Sequence, residues 1–319
     1  MVTRQYHIFK VKSEDVGLRI DKLISVRFPQ YSRNIIKRTI DSGDVTLNGK
    51  KIKPNSRPKE NDTVDLRVTP YVSEPVLGEK IDFKIIEDNN DFLIIDKPPN
   101  LVVHPAPGNQ SKTLVNGIIN IHPNQMVLPR AGLIHRIDKD TSGLLLVAKN
   151  FEYYQKLTDM MQKKQVMRYY FAIATGEIIS GETIEQPISR HSTKRTKMQV
   201  NPNGKKAITH YRIAKRLRGH TVLDVQLDTG RTHQIRVHLS WKGFPIVGDK
   251  TYGWRPKLMS GMDELLKITL QQFSRQALHA YKLNFSNPRD GKKLEFCSPP
   301  PQDFQELLKL FEQDKEKME

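Results

Sequence analysis

The sequence predicts an α+β protein with two domains, a small α+β domain in residues 1–70 and a larger domain in residues 80–319. Two short helical patterns followed by a tight hairpin indicate the small domain. Many short strand patterns with few helices between them indicate that the larger domain has a mixed, mostly antiparallel sheet flanked by helices. Residues 71–79, which include Pro75 and Gly78 and lack periodicity, are typical of a linker.

The first 70 residues have the order helix, helix, hairpin, strand. Two helices are predicted by apolar residues at helical spacing, namely Ile20, Leu23, Ile24 and Phe28 in the first and Ile35, Ile36 and Ile40 in the second. The dipeptide Asn48-Gly49 lies between residues 45–47 and 50–52 and predicts a hairpin. A last strand is expected at residues 63–67. The outer face of the second helix has three basic residues, Arg33, Lys37 and Arg38.

The elements of the larger domain are predicted from short aliphatic or alternating runs. Strands are expected at residues 83–86, 92–95, 144–148, 169–176 and 221–227. Helices are expected at residues 113–121, at 151–164 and in a closing segment around residues 304–311. The closing helix is interpreted as a packing element, because its apolar residues fall on one face.

The composition indicates a polyanion as the partner. The net charge is +17 and the isoelectric point is near 9.7, and basic residues also cluster locally, which favours nucleic acid. The single cysteine, Cys297, excludes an internal disulfide framework and a cysteine-based zinc site, so a reducing cytoplasm is expected. We also expect no signal peptide and no membrane contact, because no apolar run reaches the roughly 18 residues of a membrane span.

The segment from Leu133 to Lys149 is the first candidate site. Two carboxylates, Asp138 and Asp140, stand in a short charged turn that leads directly into the aliphatic run at residues 144–148. Charged groups at the end of a buried strand are held still by the scaffold, which is what a reactive group needs. The residues alone indicate a site without indicating its reaction. Asp140 is the competing carboxylate, and we expect it to make turn or capping hydrogen bonds with Thr141 and Ser142.

The second candidate segment runs from Thr229 to Leu239. His233 and His238 are interpreted as structural histidines, because their spacing fits neither a helical i,i+4 pair nor one face of a strand and no acidic or cysteine ligand accompanies them. We therefore expect no metal. A third segment, residues 189–197, has basic and hydroxyl side chains and nothing apolar to bury. It favours an RNA contact through Arg190, Lys194 and Arg195.

These segments resemble those of the RluA-type pseudouridine synthases. The similarity rests on His-Arg-Ile-Asp-Lys-Asp-Thr-Ser-Gly at residues 135–143, Gly-Arg-Thr-His-Gln-Ile-Arg at 230–236 and Arg-x-Tyr-x-Ala-x-x-x-Gly at 168–176. Asn100 stands where the family has glycine, a mild departure because asparagine tolerates a left-handed backbone. The N-terminal residues, with Gly-Asp-Val-Thr-Leu-Asn-Gly-Lys at 43–50, resemble an S4 RNA-binding domain.

The resemblance implies that specific uridines in RNA are converted to pseudouridine without a cofactor or metal. It implies Asp138 as the catalytic carboxylate, paired with Arg236, and Tyr170 as a residue that stacks on the uracil or accepts or relays the C5 proton. A salt-bridged arginine would stabilise the charged carboxylate. The target uridine would be flipped out of its helix or loop. His135 and Arg136 could hold the surrounding RNA or only structure the loop; the predicted RNA contacts are Arg33, Lys37, Arg38, His135, Arg136, Arg190, Lys194, Arg195 and Arg231.

Several alternatives remain at the level of sequence. Residues 187–196 and 275–280 are most similar to family members that act on large-subunit ribosomal RNA, although related members modify tRNA. The assembling large ribosomal subunit is a possible partner. A non-catalytic RNA-binding assembly factor is disfavoured, because Asp138, Tyr170 and Arg236 occur together at their motif positions. A carboxylate glycosidase of small substrates would not need a charge of +17. We expect a monomer, because no spare apolar stripe is visible.

Overall fold

A computed structural model describes residues 5–28, 31, 33–68, 76–106 and 108–317, without the side chains of residues 33 and 34. The chain divides into two compact units, Met1–Pro75 and Val76–Glu319. Most of the expected linker, residues 71–75, lies outside the described residues, so the boundaries at 70 and 80 stay predictions. Within the described ranges, no helix combines the length and the apolar character needed to cross a bilayer.

The first unit has two helices packed on a four-stranded sheet. The two helices, the hairpin and the last strand follow the expected order, but the strand β1 that precedes them was not predicted. Its strands follow the spatial order β1-β4-β2-β3, and all three pairings are antiparallel. Asn48 and Gly49 both have positive φ angles, 51° and 76°, as a two-residue hairpin turn between β2 and β3 requires. The elements are β1 (Gln5–Lys10), α1 (Ile20–Arg27), α2 (Arg33–Asp41), β2 (Val45–Leu47), β3 (Lys50–Lys51) and β4 (Thr63–Val68).

The second unit is built on a nine-stranded sheet with helices packed against it. A separate two-stranded sheet, β10 and β11, forms a hairpin. The elements are β5 (Lys84–Asp88), β6 (Phe92–Lys97), α3 (Leu114–Ile121), β7 (Ser142–Ala148), α4 (Phe151–Gln162), β8 (Met167–Thr175), β9 (Glu182–Glu185), β10 (Ile188–Arg190), β11 (Met198–Val200), β12 (Ile208–Leu217), β13 (His220–Leu227), α5 (Gln234–Trp241), α6 (Glu264–Gln272), β14 (Leu278–Ser286), β15 (Lys293–Cys297) and α7 (Gln302–Glu316).

The large sheet is mixed and mostly antiparallel, which confirms the predicted fold class. Its strands follow the order β5-β6-β7-β14-β8-β13-β12-β9, with β15 paired to β14. Only the β7–β14 pairing is parallel among these described strands. The strand β7 is buried at every residue, as its aliphatic run predicts. The strand lies between β6 and β14, inside the sheet, and the charged turn that contains Asp138 leads directly into it.

Gly143 allows β14 to lie against the start of β7. Its φ is +111°, and a Cβ atom added there would lie 2.2 Å from the carbonyl oxygen of Ala280. Real Cβ atoms do not approach an oxygen so closely, so glycine is needed at this position for both reasons. The glycine of the 135–143 motif thus fixes the end of the charged turn against a neighbouring strand.

Candidate active site

The charged turn before β7 and the first turn of α5 meet through a salt bridge. Nη1 of Arg236 donates a hydrogen bond of 2.9 Å to Oδ2 of Asp138. The two residues are 98 positions apart in the chain, and the fold brings them together as the sequence resemblance implied. The side chain of Arg236 is only 8% exposed and that of Asp138 16% exposed, so the pair is largely removed from water. A charge-assisted bond in such surroundings is strong and fixed in direction.

A second carboxylate, Asp249, binds the opposite edge of the same guanidinium. Nε and Nη2 of Arg236 donate to Oδ2 and Oδ1 of Asp249 at 2.7 and 2.9 Å, and the Asp249 side chain is 1% exposed. The ring of Tyr252 lies 5.0 Å from the guanidinium carbon. These contacts hold Arg236 in one orientation. The two carboxylates also keep the pKa of Arg236 above its usual range, although burial alone would lower it.

The orientation of α5 is fixed by the side chain of Gln234. Its Oε1 accepts hydrogen bonds from the Thr229 hydroxyl and from the N–H of Arg231, at 2.7 and 3.0 Å. Its Nε2 donates to the carbonyl of Ile208 and to the hydroxyl of Thr209. The buried amide therefore joins the loop before α5 to strand β12, and Arg236, two residues further along, inherits that position.

Tyr170 and Arg168 project from β8 into the same pocket as Asp138. The pocket is open and is lined also by Arg136, Arg231 and His233. Tyr170 is 4% exposed, and within the described residues its hydroxyl has no protein hydrogen-bond partner. Burial raises the pKa of Tyr170; the charge of Arg168 opposes this and the smaller effect of Asp138 adds to it, so the phenol is neutral at ordinary pH.

Lys97 hydrogen-bonds to the backbone of the charged turn. It is fully buried at the end of β6, and its Nζ donates to the carbonyl oxygens of Pro98, Leu101 and Lys139 at 2.8, 2.9 and 2.8 Å. Burial lowers the pKa of Lys97 to about 7, although the charges of Asp140 and Asp138 act in the opposite direction. The bond to Lys139 ties the residue directly after Asp138 to the sheet.

Asp140 differs from Asp138 in its surroundings. It does not line the pocket, and the expected hydrogen bonds to Thr141 and Ser142 are not formed. Those hydroxyls have other partners, because Thr141 accepts from Nε2 of Gln276 and Ser142 bonds Nδ1 of His279. The prediction about the bonds of Asp140 was wrong: within the described residues the two hydroxyls contact Gln276 and His279 instead.

His135 and His238 hydrogen-bond to neighbouring elements, although Nδ1 of His135 is buried without a partner within the described residues. Nε2 of His135 accepts from the N–H of Leu146 at 3.2 Å, and burial lowers the pKa of His135 to about 3, so its ring is neutral. His238 lies inside α5 and bonds the hydroxyl of Thr209 and the carbonyl of Gln186. These contacts make His238 a structural histidine, as expected, and give His135 a role in holding the loop.

The other predicted RNA contacts are on the surface. Arg136 and Arg231 are exposed at the rim of the pocket, and Arg190, Lys194 and Arg195 are exposed on the β10–β11 hairpin. In the first unit Lys37 and Arg38 are exposed, whereas the side chain of Arg33 lies outside the described atoms. Within the described part of the chain no group of three or more acidic, histidine or cysteine side chains could hold a metal ion.

Sequence reasoning missed three residues of this site, Asp249, Tyr252 and Lys97. Nothing in the local sequence marks Asp249 as the partner of an arginine 13 residues earlier. Lys97 lies three residues before Asn100, and its complete burial cannot be read from a lysine in the sequence. Asn100 has a left-handed φ of 61°, as expected at a position where the family has glycine.

Comparison with known proteins identifies the class of this site. The model of the RNA pseudouridylate synthase family matches residues 91–241, and the model of the S4 domain matches residues 18–64. The matched region contains Asp138, Tyr170 and Arg236. Together with relatives that align over nearly the whole chain, these matches show that the chain belongs to the RNA pseudouridylate synthase family and has an N-terminal S4 domain.

The similar curated proteins are named ribosomal large subunit pseudouridine synthase D. The chain is 42% identical to the one from Yersinia pestis over 307 residues, covering 96% of this chain and 94% of the relative. It is 41% identical to the one from Escherichia coli strain K12, covering 95% and 94% of the two chains. Among solved structures, human RNA pseudouridylate synthase domain containing 1 is 28% identical with a TM-score of 0.53, covering 70% of this chain and 86% of the other.

Proposed function

We propose that this protein converts specific uridines of large-subunit ribosomal RNA to pseudouridine, with Asp138 as the catalytic carboxylate. The observation that carries the proposal is the bond of 2.9 Å from Arg236 to Oδ2 of Asp138 in the pocket that Tyr170 also lines. Within the described residues no side chain hydrogen-bonds Oδ1, so one carboxylate oxygen is available to a substrate. The names of the relatives supply the ribosomal RNA part of the proposal.

The reaction needs groups that this pocket supplies. The bond between ribose C1′ and uracil N1 breaks, the base turns, a bond forms between C1′ and C5, and the C5 proton is lost while N1 gains one. An ionised carboxylate can serve as nucleophile or as electrostatic partner, as in glycoside cleavage. The charge-assisted bond from Arg236 holds the Asp138 carboxylate in a largely buried position. The net change is an isomerisation, which requires no electron or group donor.

The uridine must leave its stack before it can reach Asp138. Asp138, Tyr170 and Arg236 line an open pocket that a flipped base could enter. Flipping a base costs a few kcal/mol, which stacking in the pocket can offset. Tyr170 offers an aromatic ring for stacking and a hydroxyl for proton relay. Its raised pKa favours these roles over that of a phenolate base.

The basic surface would hold the RNA around that uridine. Two groups of basic side chains in the second unit are suited to bind phosphates: Arg136 and Arg231 at the rim of the pocket, and Arg190, Lys194 and Arg195 on the hairpin. In the first unit we propose phosphate contacts for three residues of α2, namely Arg33, Lys37 and Arg38. The hairpin packs on α5 through Ile188 and Met198 against Val237. The proposed hairpin contact is therefore attached to the helix that carries Arg236.

The proposal extends to the cellular setting. We propose a cytoplasmic monomer that acts on ribosomal RNA, free or in the assembling large subunit. A transfer RNA substrate within the same family is the second candidate. It is favoured less, because the relatives that align over about 95% of the chain carry the ribosomal name.

The experiment maps pseudouridines in a strain that lacks the protein, by primer extension on carbodiimide-treated RNA. The strain is complemented with wild type, Asp138→Asn or Asp140→Asn. Asp140→Asn is the matched control, because it makes the same change two residues away and outside the pocket. We expect stops in large-subunit RNA that return with wild type and Asp140→Asn only. Stops that return in transfer RNA instead would contradict the ribosomal substrate, and an unchanged map would contradict the activity.

A further inference from the structure

His233 has a place in the site that the proposed function has not used. It caps the N-terminus of α5 with a left-handed backbone, φ 57° and ψ 22°. This turn brings its Nε2 to 3.9 Å from Oδ1 of Asp138, the oxygen that Arg236 leaves free. The His233 side chain is 20% exposed and lines the pocket. Arg236 and His233 therefore face different oxygens of one carboxylate.

The protonation of the His233 ring can be deduced from its other nitrogen. Nδ1 lies 2.7 Å from the hydroxyl oxygen of Tyr252, and that oxygen accepts the N–H of Met198 at 2.9 Å. The phenol has one proton of its own to donate, and Nδ1 is the acceptor within reach. Nδ1 must then be unprotonated, and the ring proton is on Nε2. The opposite tautomer would leave the phenol proton without a partner.

We propose that His233 is a positioning residue for Asp138, which presents Nε2–H to Oδ1 while the Tyr252 hydroxyl fixes the ring. The inference rests on the proposed function of Asp138. Rotation about the Cβ–Cγ bond is opposed by the Arg236 bond at Oδ2, and a donor at Oδ1 opposes it further. The gap of 3.9 Å is long for a hydrogen bond, but such bonds in a free enzyme shorten when the substrate is bound.

The charges around His233 agree with a neutral ring. The groups that face it are Asp138, Arg236, Asp249, Arg136 and the phenol of Tyr252. Burial lowers the pKa of His233; Asp138 and Asp249 oppose this and the two arginines add to it. At neutral pH the ring is thus a donor at one nitrogen and an acceptor at the other.

The kinetic test compares His233→Gln with His233→Asn. A glutamine can place an N–H near the position of Nε2, whereas the shorter asparagine cannot. Asparagine fits the left-handed backbone better than glutamine, so backbone strain predicts the opposite order of activities. We expect His233→Asn to lower kcat about tenfold or more with little change in KM, the loss of one hydrogen bond to a charged group. His233→Gln should recover most of that loss. Equal kcat values for the two variants would overturn the inference.

A spectroscopic test is independent of activity. Imidazole nitrogen spectra of the full-length protein with labelled histidine distinguish protonated from bare ring nitrogens, and the signal missing in His233→Gln assigns His233. We expect a bare Nδ1 and a protonated Nε2. In Tyr252→Phe the neutral ring loses its donor, so the pKa of His233 should rise. A protonated Nδ1 in the wild type would overturn the inference. Full activity of Asp138→Asn would instead contradict the proposed function, whatever the tautomer.

Discussion

Asp249 is the buried partner of Arg236, and its replacement by asparagine removes the charge with little change in shape. Asp249→Asn keeps one acceptor for the guanidinium and turns the other into an N–H₂ group that faces a donor. At least one charge-assisted hydrogen bond is lost, each worth roughly 1.5–3 kcal/mol. Removing a buried ionic partner completely costs roughly 3–5 kcal/mol, but Arg236 keeps its bond to Asp138. We therefore expect the free energy of unfolding to fall by about 2–3 kcal/mol.

The matched control is Asp303→Asn. Asp303 binds Nε and Nη2 of Arg275 in the same two-pronged geometry, at 2.6 and 2.7 Å. Its side chain is 45% exposed, whereas that of Asp249 is 1% exposed. A solvent-exposed ion pair contributes about 0–1 kcal/mol, so this variant should lose much less stability.

Urea unfolding followed by tryptophan fluorescence measures both variants. The two tryptophans, Trp241 and Trp254, belong to the second unit, so the signal reports on the unit that contains the site. Asp249→Asn should also lower kcat at least tenfold, because Arg236 is no longer held from both sides. Equal losses of stability in the two variants, or a loss below about 0.5 kcal/mol in Asp249→Asn, would refute the reasoning from burial.

Three other predictions follow from the same contacts. Tyr170→Phe keeps the ring and loses the hydroxyl. A kcat reduced at least about tenfold with unchanged RNA affinity would indicate that the hydroxyl relays a proton. If Tyr170→Leu is as active as wild type, neither stacking on the uracil nor proton relay by Tyr170 is needed. Burial lowers the pKa of Lys97 to about 7 from 10.5, so the unfolded chain binds more protons between these values and wild type gains stability as pH rises through them. Lys97→Met should lose that gain, which urea unfolding at pH 7 and 9.5 measures. The same pH dependence of stability in wild type and Lys97→Met would contradict the burial of the Lys97 ammonium group. Gly143→Ala adds a Cβ where Ala280 leaves no space and should cost at least about 2 kcal/mol in the same assay, whereas Gly291→Ala, in the same unit and with a positive φ but open space, should cost less.

Much of the fold could be predicted from local sequence patterns. The Asn48-Gly49 hairpin, the buried run of β7 and the apolar face of α7 could all be predicted, because each depends on residues close together in the chain. The helix α5 was missed. Its first charged residue, Arg236, is buried, and its cap, His233, has a left-handed backbone, so neither the apolar period nor a usual cap residue indicated a helix.

The pairing of Asp138 with Arg236 could be expected only from the resemblance to a family. The structure then added contacts that no local pattern contains, such as the bond of Lys97 to the backbone of Lys139 and the fork from Arg236 to Asp249. The parallel contact between β7 and β14 joins residues more than 130 positions apart, and it brings His279 to the hydroxyl of Ser142. Such long-range choices depend on the packed sheet, which the sequence does not reveal segment by segment.

The proposed role of Asp138 in catalysis can be measured by single-turnover tritium release. Large-subunit ribosomal RNA labelled with tritium at uracil C5 releases the label when C5 loses its hydrogen. We predict release by wild type and Asp140→Asn, and none above background by Asp138→Asn, while all three bind RNA equally. Release by Asp138→Asn at the wild-type rate would show that Asp138 is not the catalytic carboxylate.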